Sequence, residues 1–247
     1  MRLIVTAFRT VLTWVVGVSM TVICALIVLA ITVFNDTARV IDEIILIWSR
    51  SWMWASGTHL TVEGREHIDP SRSYVVVANH LSTLDIMACF LATRLPIRYL
   101  AKKELFRIPI LAQGMRAVGV IEVDRAARGA IHSQVNRAAK KLIEANRSLI
   151  IYAEGTRPRD GIMRPFKKGA FTMAIASGLP VLPMSIHGTY EAAPSGRPWF
   201  HGGNVKVIID KEIETADLTQ ANTGELRDEV YAIISQRVRE MGGAVGG

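Results

Sequence analysis

Apolar residues run without a charge from Thr10 to Phe34, about 25 positions, which is enough to cross the hydrocarbon of a bilayer as a helix. A cleaved leader would have an apolar core of about 7–15 residues and a small-residue cleavage site. This run is longer and leads into Val33-Phe34-Asn35-Asp36, so it predicts a retained anchor. The next apolar segment, Ile41 to Ser56, is interrupted by Asp42, Glu43 and Arg50 and carries Trp48, Trp52 and Trp54. That pattern predicts a helix at the membrane–water interface rather than a second span; the competing reading is a buried helix of the main domain. No proline precedes Pro70, and beyond it the pattern changes. Short β-branched runs predict strands at Tyr74–Ala78, Ile97–Leu100, Val118–Val123, Ser148–Tyr152, Pro180–Ile186 and Val205–Ile209. Helical periodicity falls between and after them, at Leu84–Ala92, Ile131–Asn146, Lys168–Ser177 and Glu225–Met241. The alternation predicts an α/β domain with a largely parallel sheet flanked by helices, behind an N-terminal helical membrane anchor. The boundaries expected are 1–60 for the membrane-embedded region, 61–241 for the α/β domain, and 242–247 for a flexible glycine-rich tail.

Composition adds a partner class. The net charge is +7 and the pI about 9.7, which calls for an anionic partner, nucleic acid or a phospholipid surface. The apolar N-terminus favours lipid, and no nucleic acid is expected. The two cysteines, Cys24 and Cys89, lie far apart in apolar surroundings and read as small buried hydrophobes, not a disulfide.

In parallel sheets ligand sites lie past the carboxyl ends of strands, and the residues that stand out here fall there. After Val75-Val76-Val77-Ala78 come Asn79-His80-Leu81-Ser82-Thr83-Leu84-Asp85. On one continuous helix, His80 and Asp85 would sit roughly 140° apart. With the histidine on the incoming turn and the aspartate in the first helical turn they can meet, and Ser82 or Thr83 can cap that helix. The carboxylate would fix the imidazole tautomer and leave the other ring nitrogen to take a proton from a hydroxyl. After the strand ending at Tyr152 comes Glu154-Gly155-Thr156-Arg157, a tight turn with groups suited to phosphate. Gly119 to Arg125 ends another strand in a basic residue, and Arg94, Arg98, Lys102, Lys103, Arg107, Arg116 and Arg128 supply a basic region, either facing lipid phosphates or a solvated face. Pro158-Arg159-Asp160-Gly161 and Pro165-Phe166-Lys167-Lys168-Gly169 make a turn-rich flap beside Arg157.

Four ordered blocks carry a resemblance: Asn79 to Asp85, Gly119 to Arg125, Glu154 to Arg157, and Leu179-Pro180-Val181-Leu182-Pro183. Over roughly Thr61 to Thr189 the chain resembles the glycerolipid acyltransferases, in particular the bacterial 1-acylglycerol-3-phosphate O-acyltransferases (lysophosphatidate acyltransferases). The resemblance implies His80 as general base and Asp85 as its orienting partner. It implies Arg125, Glu154, Gly155, Thr156 and Arg157, with the basic residue Lys103, as the acceptor-phosphate site, and Val181 and Pro183 as acyl-substrate residues. One departure is Glu122, where the family usually has an apolar or aromatic residue.

The implied reaction moves a fatty acyl group from acyl-CoA or acyl carrier protein to the free hydroxyl of 1-acylglycerol-3-phosphate, giving phosphatidic acid at the cytoplasmic membrane. A thioester is already activated, so no covalent intermediate is needed, and the sequence has no Gly-x-Ser-x-Gly elbow. No His/Cys cluster suggests a metal; the thioester is a co-substrate, and no cofactor is expected. A different lysolipid or polar-lipid acceptor is the alternative within the class. A non-catalytic lipid-surface protein would share the anchor but has no use for the His80–Asp85 pair, and a lipid hydrolase would need a serine nucleophile. Arg2 and Arg9 favour a cytoplasmic N-terminus, and the thioester is cytoplasmic. Both conditions hold if residues Thr10–Ser56 form a hairpin that dips into the bilayer and returns.

Overall fold

The computed structural model describes residues 2–35, 38–123 and 145–246. At its centre is a seven-stranded sheet. The strands are β1 (Thr58–Glu63), β2 (Val75–Ala78), β3 (Ile97–Lys102), β4 (Ile121–Val123), β5 (Ser148–Tyr152), β7 (Val181–His187) and β8 (Gly203–Ile209), in the order β1-β8-β7-β2-β5-β3-β4. Every neighbouring pair is parallel except β7 with β8, which confirms the largely parallel sheet. β2 sits in the middle, with Val75, Val76, Val77 and Ala78 all buried. That two-sided burial is why the sequence there is continuously apolar rather than alternating.

The two faces carry separate cores. Val76 and Ala78 pack with Ile150, Leu182, Met184 and Ile186 under helices α1 (Arg2–Thr32), α2 (Val40–Ala55) and α3 (Leu84–Thr93). Val75, Val77 and Val181 pack on the other face against α5 (Gly169–Ser177) and α7 (Thr223–Glu240). The short helices α4 (Leu111–Ala117) and α6 (Thr189–Ala192) complete the described α-helices.

Among the described residues one helix, Leu3–Thr32, is long and apolar enough to cross a membrane, and only 22% of its most apolar stretch is buried inside the protein. It does not stand apart from the domain. The Trp14 indole donates to the Pro198 carbonyl at 3.0 Å and the Phe200 amide to Thr10 Oγ1 at 3.0 Å, while Arg9 donates to the His201 carbonyl. The Trp48 indole donates to Thr21 Oγ1 at 2.9 Å. Gly17 lets Trp52 seat directly on α1, because a Cβ there would fall 2.5 Å from the ring. Contacts that pair 9 with 57, 17 with 52 and 21 with 48 make α1 and α2 an antiparallel hairpin.

Several expectations are corrected. The segment Ile41–Ser56 packs into the core, as its competing reading has it: Ile41, Ile44, Ile45, Trp52 and Met53 are buried, and Trp54 alone of its tryptophans is well exposed. Asp42 interrupts the apolar run because it pairs with Arg98 of β3 at 2.8 Å, a guanidinium only 1% exposed. The α/β domain begins before residue 61, since β1 starts at Thr58 and pairs with β8 from Gly203 onward. Residues 242–246 are not a free tail. Ala244 and Val245 form β9 against β6 (Ile162–Met163), and the Tyr231 hydroxyl donates to the Gly246 carbonyl at 2.9 Å. The strand expected at Val118–Val123 is shorter, because Val118 caps α4 and only Ile121–Val123 pairs. Arg125, and the helix expected over Ile131–Asn146 except for its last two residues, lie outside the described residues.

Candidate active site

The site is built where β2 gives out. Its last residue, Ala78, lies opposite Met184 of β7 on one side and Tyr152 of β5 on the other. Asn79 locks the departing chain to β7, donating to the Ile186 carbonyl and accepting the Ile186 amide, each at 2.8 Å. The chain then turns, and α3 starts at Leu84. Thr83 is the helix N-cap but makes no side-chain cap bond. The turn is held instead by Asp85, whose Oδ2 accepts the amides of Leu81 and Ser82 at 2.7 and 2.8 Å and lies 2.8 Å from His80 Nδ1. Asp85 thus builds the turn and orients the imidazole, and its side chain is 1% exposed against 14% for that of His80.

The His80 ring lies flat on Tyr152, with centroids 3.7 Å apart and planes within 5°. The Tyr152 hydroxyl is 3.5 Å from Cys89 Sγ. Burial pushes the Cys89 thiol up to about 12 and the Tyr152 phenol well above its usual range, so both keep their protons. Tyr152 is therefore a floor that fixes the ring plane, not an acid. Sequence reasoning missed it. The signal would have been an aromatic paired with the residue two before His80, but reading it requires the β2–β5 register.

Glu154 follows β5 and is buried, 3% exposed. Its Oε1 accepts the His80 amide and its Oε2 the Arg164 amide, both at 2.7 Å. Burial raises its pKa to about 7; the two amide bonds pull it down, and Asp85 pushes it up. Gly155 turns the chain at φ +79°, and a Cβ there would meet Lys167 Nζ at 2.8 Å. Thr156 and Arg157 are exposed, and Arg157 donates to Thr83 Oγ1, bringing a guanidinium to the rim beside His80. Lys103 is half-buried just past the end of β3, two strands from β2 and therefore roughly 10 Å away across the same sheet edge. Val181 and Pro183 are both buried in β7, Val181 opposite Val75 in the core under α5 and α7 and Pro183 opposite Val77. They stand inside the sheet, away from the His80 rim. Glu122 pairs with Arg116 at 3.6 Å. Among the described residues no group of three or more His, Cys, Asp or Glu could hold a metal.

With this geometry in hand, comparison with known proteins is decisive for the family. The acyltransferase family model matches residues 59–187, more than half of the chain. The chain belongs to the acyltransferase family. The matched segment encloses His80, Asp85, Lys103, Glu154 to Arg157, Val181 and Pro183. Among relatives, the 1-acyl-sn-glycerol-3-phosphate acyltransferase of Borreliella burgdorferi is 30% identical over 183 residues, 72% of this chain and 72% of that protein. The human 1-acyl-sn-glycerol-3-phosphate acyltransferase alpha is 31% identical over 176 residues, 70% of this chain and 62% of its own length. The chloroplastic 1-acyl-sn-glycerol-3-phosphate acyltransferase BAT2 of Brassica napus is 35% identical over 156 residues, 62% of this chain and 44% of that protein. The matches span about half the length of three plant relatives, those of Brassica napus, Arabidopsis thaliana and Limnanthes douglasii. The crystal structure of the 1-acyl-sn-glycerophosphate (LPA) acyltransferase PlsC from Thermotoga maritima superposes with a TM-score of 0.84 at 27% identity, covering all of both chains.

Proposed function

We propose that this acyltransferase moves a fatty acyl group from a thioester, acyl-CoA or acyl carrier protein, to the free hydroxyl of 1-acylglycerol-3-phosphate at the membrane surface. The observation that carries the reading is the His80 imidazole, held through Nδ1 by buried Asp85 and stacked on Tyr152, which makes Nε2 the ring nitrogen that serves as base. As the acceptor oxygen bonds to the thioester carbonyl carbon, its proton passes to Nε2. The tetrahedral adduct then collapses with loss of the C–S bond, and the imidazolium returns the proton to the departing thiolate. Among the described residues, the serine and the cysteine nearest His80 are poorly placed for a covalent route. Ser82 Oγ donates to the Ala193 carbonyl at 2.7 Å, and Cys89 is a buried, protonated thiol. Thiol release by the purified protein, measured with each donor against a panel of lysolipids, tests this. Release that is independent of acceptor, or faster with another lysolipid, would replace the assignment.

Arg157 sets the acceptor in this reading, because it is an exposed cation at the His80 rim. Arg157→Ala is expected to raise the KM for 1-acylglycerol-3-phosphate about 10-fold or more while the donor KM holds, the pattern of lost binding rather than lost chemistry. Unchanged acceptor kinetics would return Arg157 to the status of a surface charge.

The α1–α2 hairpin supplies the membrane contact, with both ends on the cytoplasmic side. Two features support this: α1 is docked along the domain from Arg9 to Val28, and its outer face presents Leu3, Phe8, Val11, Val15, Val18, Leu26 and Ile27. An apolar face of that length on a helix roughly 46 Å long needs lipid or protein against it. Cysteines placed at Arg2 and Ser71 should both resist an impermeant thiol reagent in intact cells. Labelling of one alone would mean a true crossing.

A further inference from the structure

We infer that Glu154 is a positioning residue: a two-ended carboxylate clamp that ties the backbone of His80 to the far end of the 155–164 loop, and not a ligand of the acceptor. The inference refines the acyl-transfer reading and rests on it.

Both carboxylate oxygens are committed. Oε1 takes the His80 amide and Oε2 the Arg164 amide, at 2.7 Å each. With the residue 3% exposed, little of it is left to face a lipid headgroup, and its two oxygens already serve as acceptors of N–H groups, where a phosphate needs donors. The neighbouring contacts show what the clamp holds. The loop leaves at Gly155 and returns at Arg164, so one side chain closes ten residues of chain. The Lys167 amide closes it again on the Ala153 carbonyl at 2.8 Å. In between, the Tyr190 hydroxyl donates to the Arg159 carbonyl at 2.7 Å, Ser195 donates to the Pro158 carbonyl, and Arg157 reaches Thr83. β6, inside the loop, is paired with β9. The loop is thus tethered on its outer side by α6, the segment after it and the C-terminal strand. On its inner side it is tethered to the catalytic turn by Glu154. His80 is fixed from two directions, its ring by Asp85 and its backbone by Glu154.

Glu154→Gln tests this with little change of shape. An amide offers its oxygen to one of the two N–H groups and sets its own N–H against the other, so one arm of the clamp opens. The expected result is a kcat loss of about 10²-fold, the scale on which small misplacements of a catalytic group act, with the acceptor KM within about twofold. Hydrogen exchange at the His80 and Arg164 amides, measured without substrate, should quicken at one or both. If Glu154→Gln does not fold, Glu154→Asp keeps the charge but is one methylene too short to reach both amides, and the same kcat-against-KM split applies. An acceptor KM raised tenfold or more with kcat within twofold would make Glu154 a ligand and overturn the clamp, as would unchanged exchange at both amides. Because exchange needs no substrate, its outcome stands even if the unaltered protein proves inactive on 1-acylglycerol-3-phosphate.

Discussion

Replacing His80 with alanine is expected to lower acyl transfer about 10²–10⁴-fold, the usual contribution of a general base, while leaving the protein folded. The turn that carries His80 does not depend on its side chain. Asp85 keeps the amides of Leu81 and Ser82, Asn79 keeps its two bonds to Ile186, and Glu154 keeps the backbone amide of residue 80. What is lost is the ring on Tyr152 and its Nδ1 bond. The loss should therefore fall on kcat, with the acceptor KM close to that of the unaltered enzyme because Arg157 remains. Thiol release and thermal melting on the same preparation check it. Turnover within a fewfold of the unaltered enzyme would remove His80 from the chemistry.

How much of this could be read from the sequence follows the range of the interactions. His80 and Asp85 were legible because the pair is local: five residues bridge a strand end and a helix start, and the geometry is fixed within them. The parallel sheet was legible from the alternation of β-branched runs and helical periods. Glu154 was legible as a neighbour of the site but not in its role. Its partner His80 is 74 residues away, and short motifs do not say which way a side chain turns. Tyr152 required the register of two strands distant in sequence. The burial of α2 was hard to read because Asp42 looks like a polar break until Arg98 is seen facing it from β3, and because the seat of Trp52 depends on Gly17 of α1 making room for it. Glycine-rich residues 242–246 read as a tail because the β6 strand that pairs with them lies some 80 positions earlier.

Changing Asp85 to asparagine is expected to cost about 10²–10³ in kcat, and the loss separates the two jobs of that carboxylate. Oδ2 accepts three bonds, from His80 Nδ1 and the amides of Leu81 and Ser82. An asparagine oxygen in the same place can still accept from the amides, so the turn should survive. Its NH₂ would fall where Oδ1 lies, a buried position with no hydrogen-bond partner. An unsatisfied buried donor there costs about 1–3 kcal/mol of stability, which should appear as a lower melting temperature rather than as unfolding. The charge is the larger loss. When Nε2 takes the acceptor proton, the ring becomes an imidazolium, and in a site this buried the neutral amide no longer compensates it. Breaking a buried ion pair by removing one partner costs about 3–5 kcal/mol, which by the exponential relation of barrier to rate gives a factor of at least 10². The Asp85→Asn enzyme should therefore melt slightly earlier, bind the acceptor normally and turn over slowly. A variant that keeps near-normal kcat would show that the carboxylate serves the turn alone, and that His80 works without a charged partner.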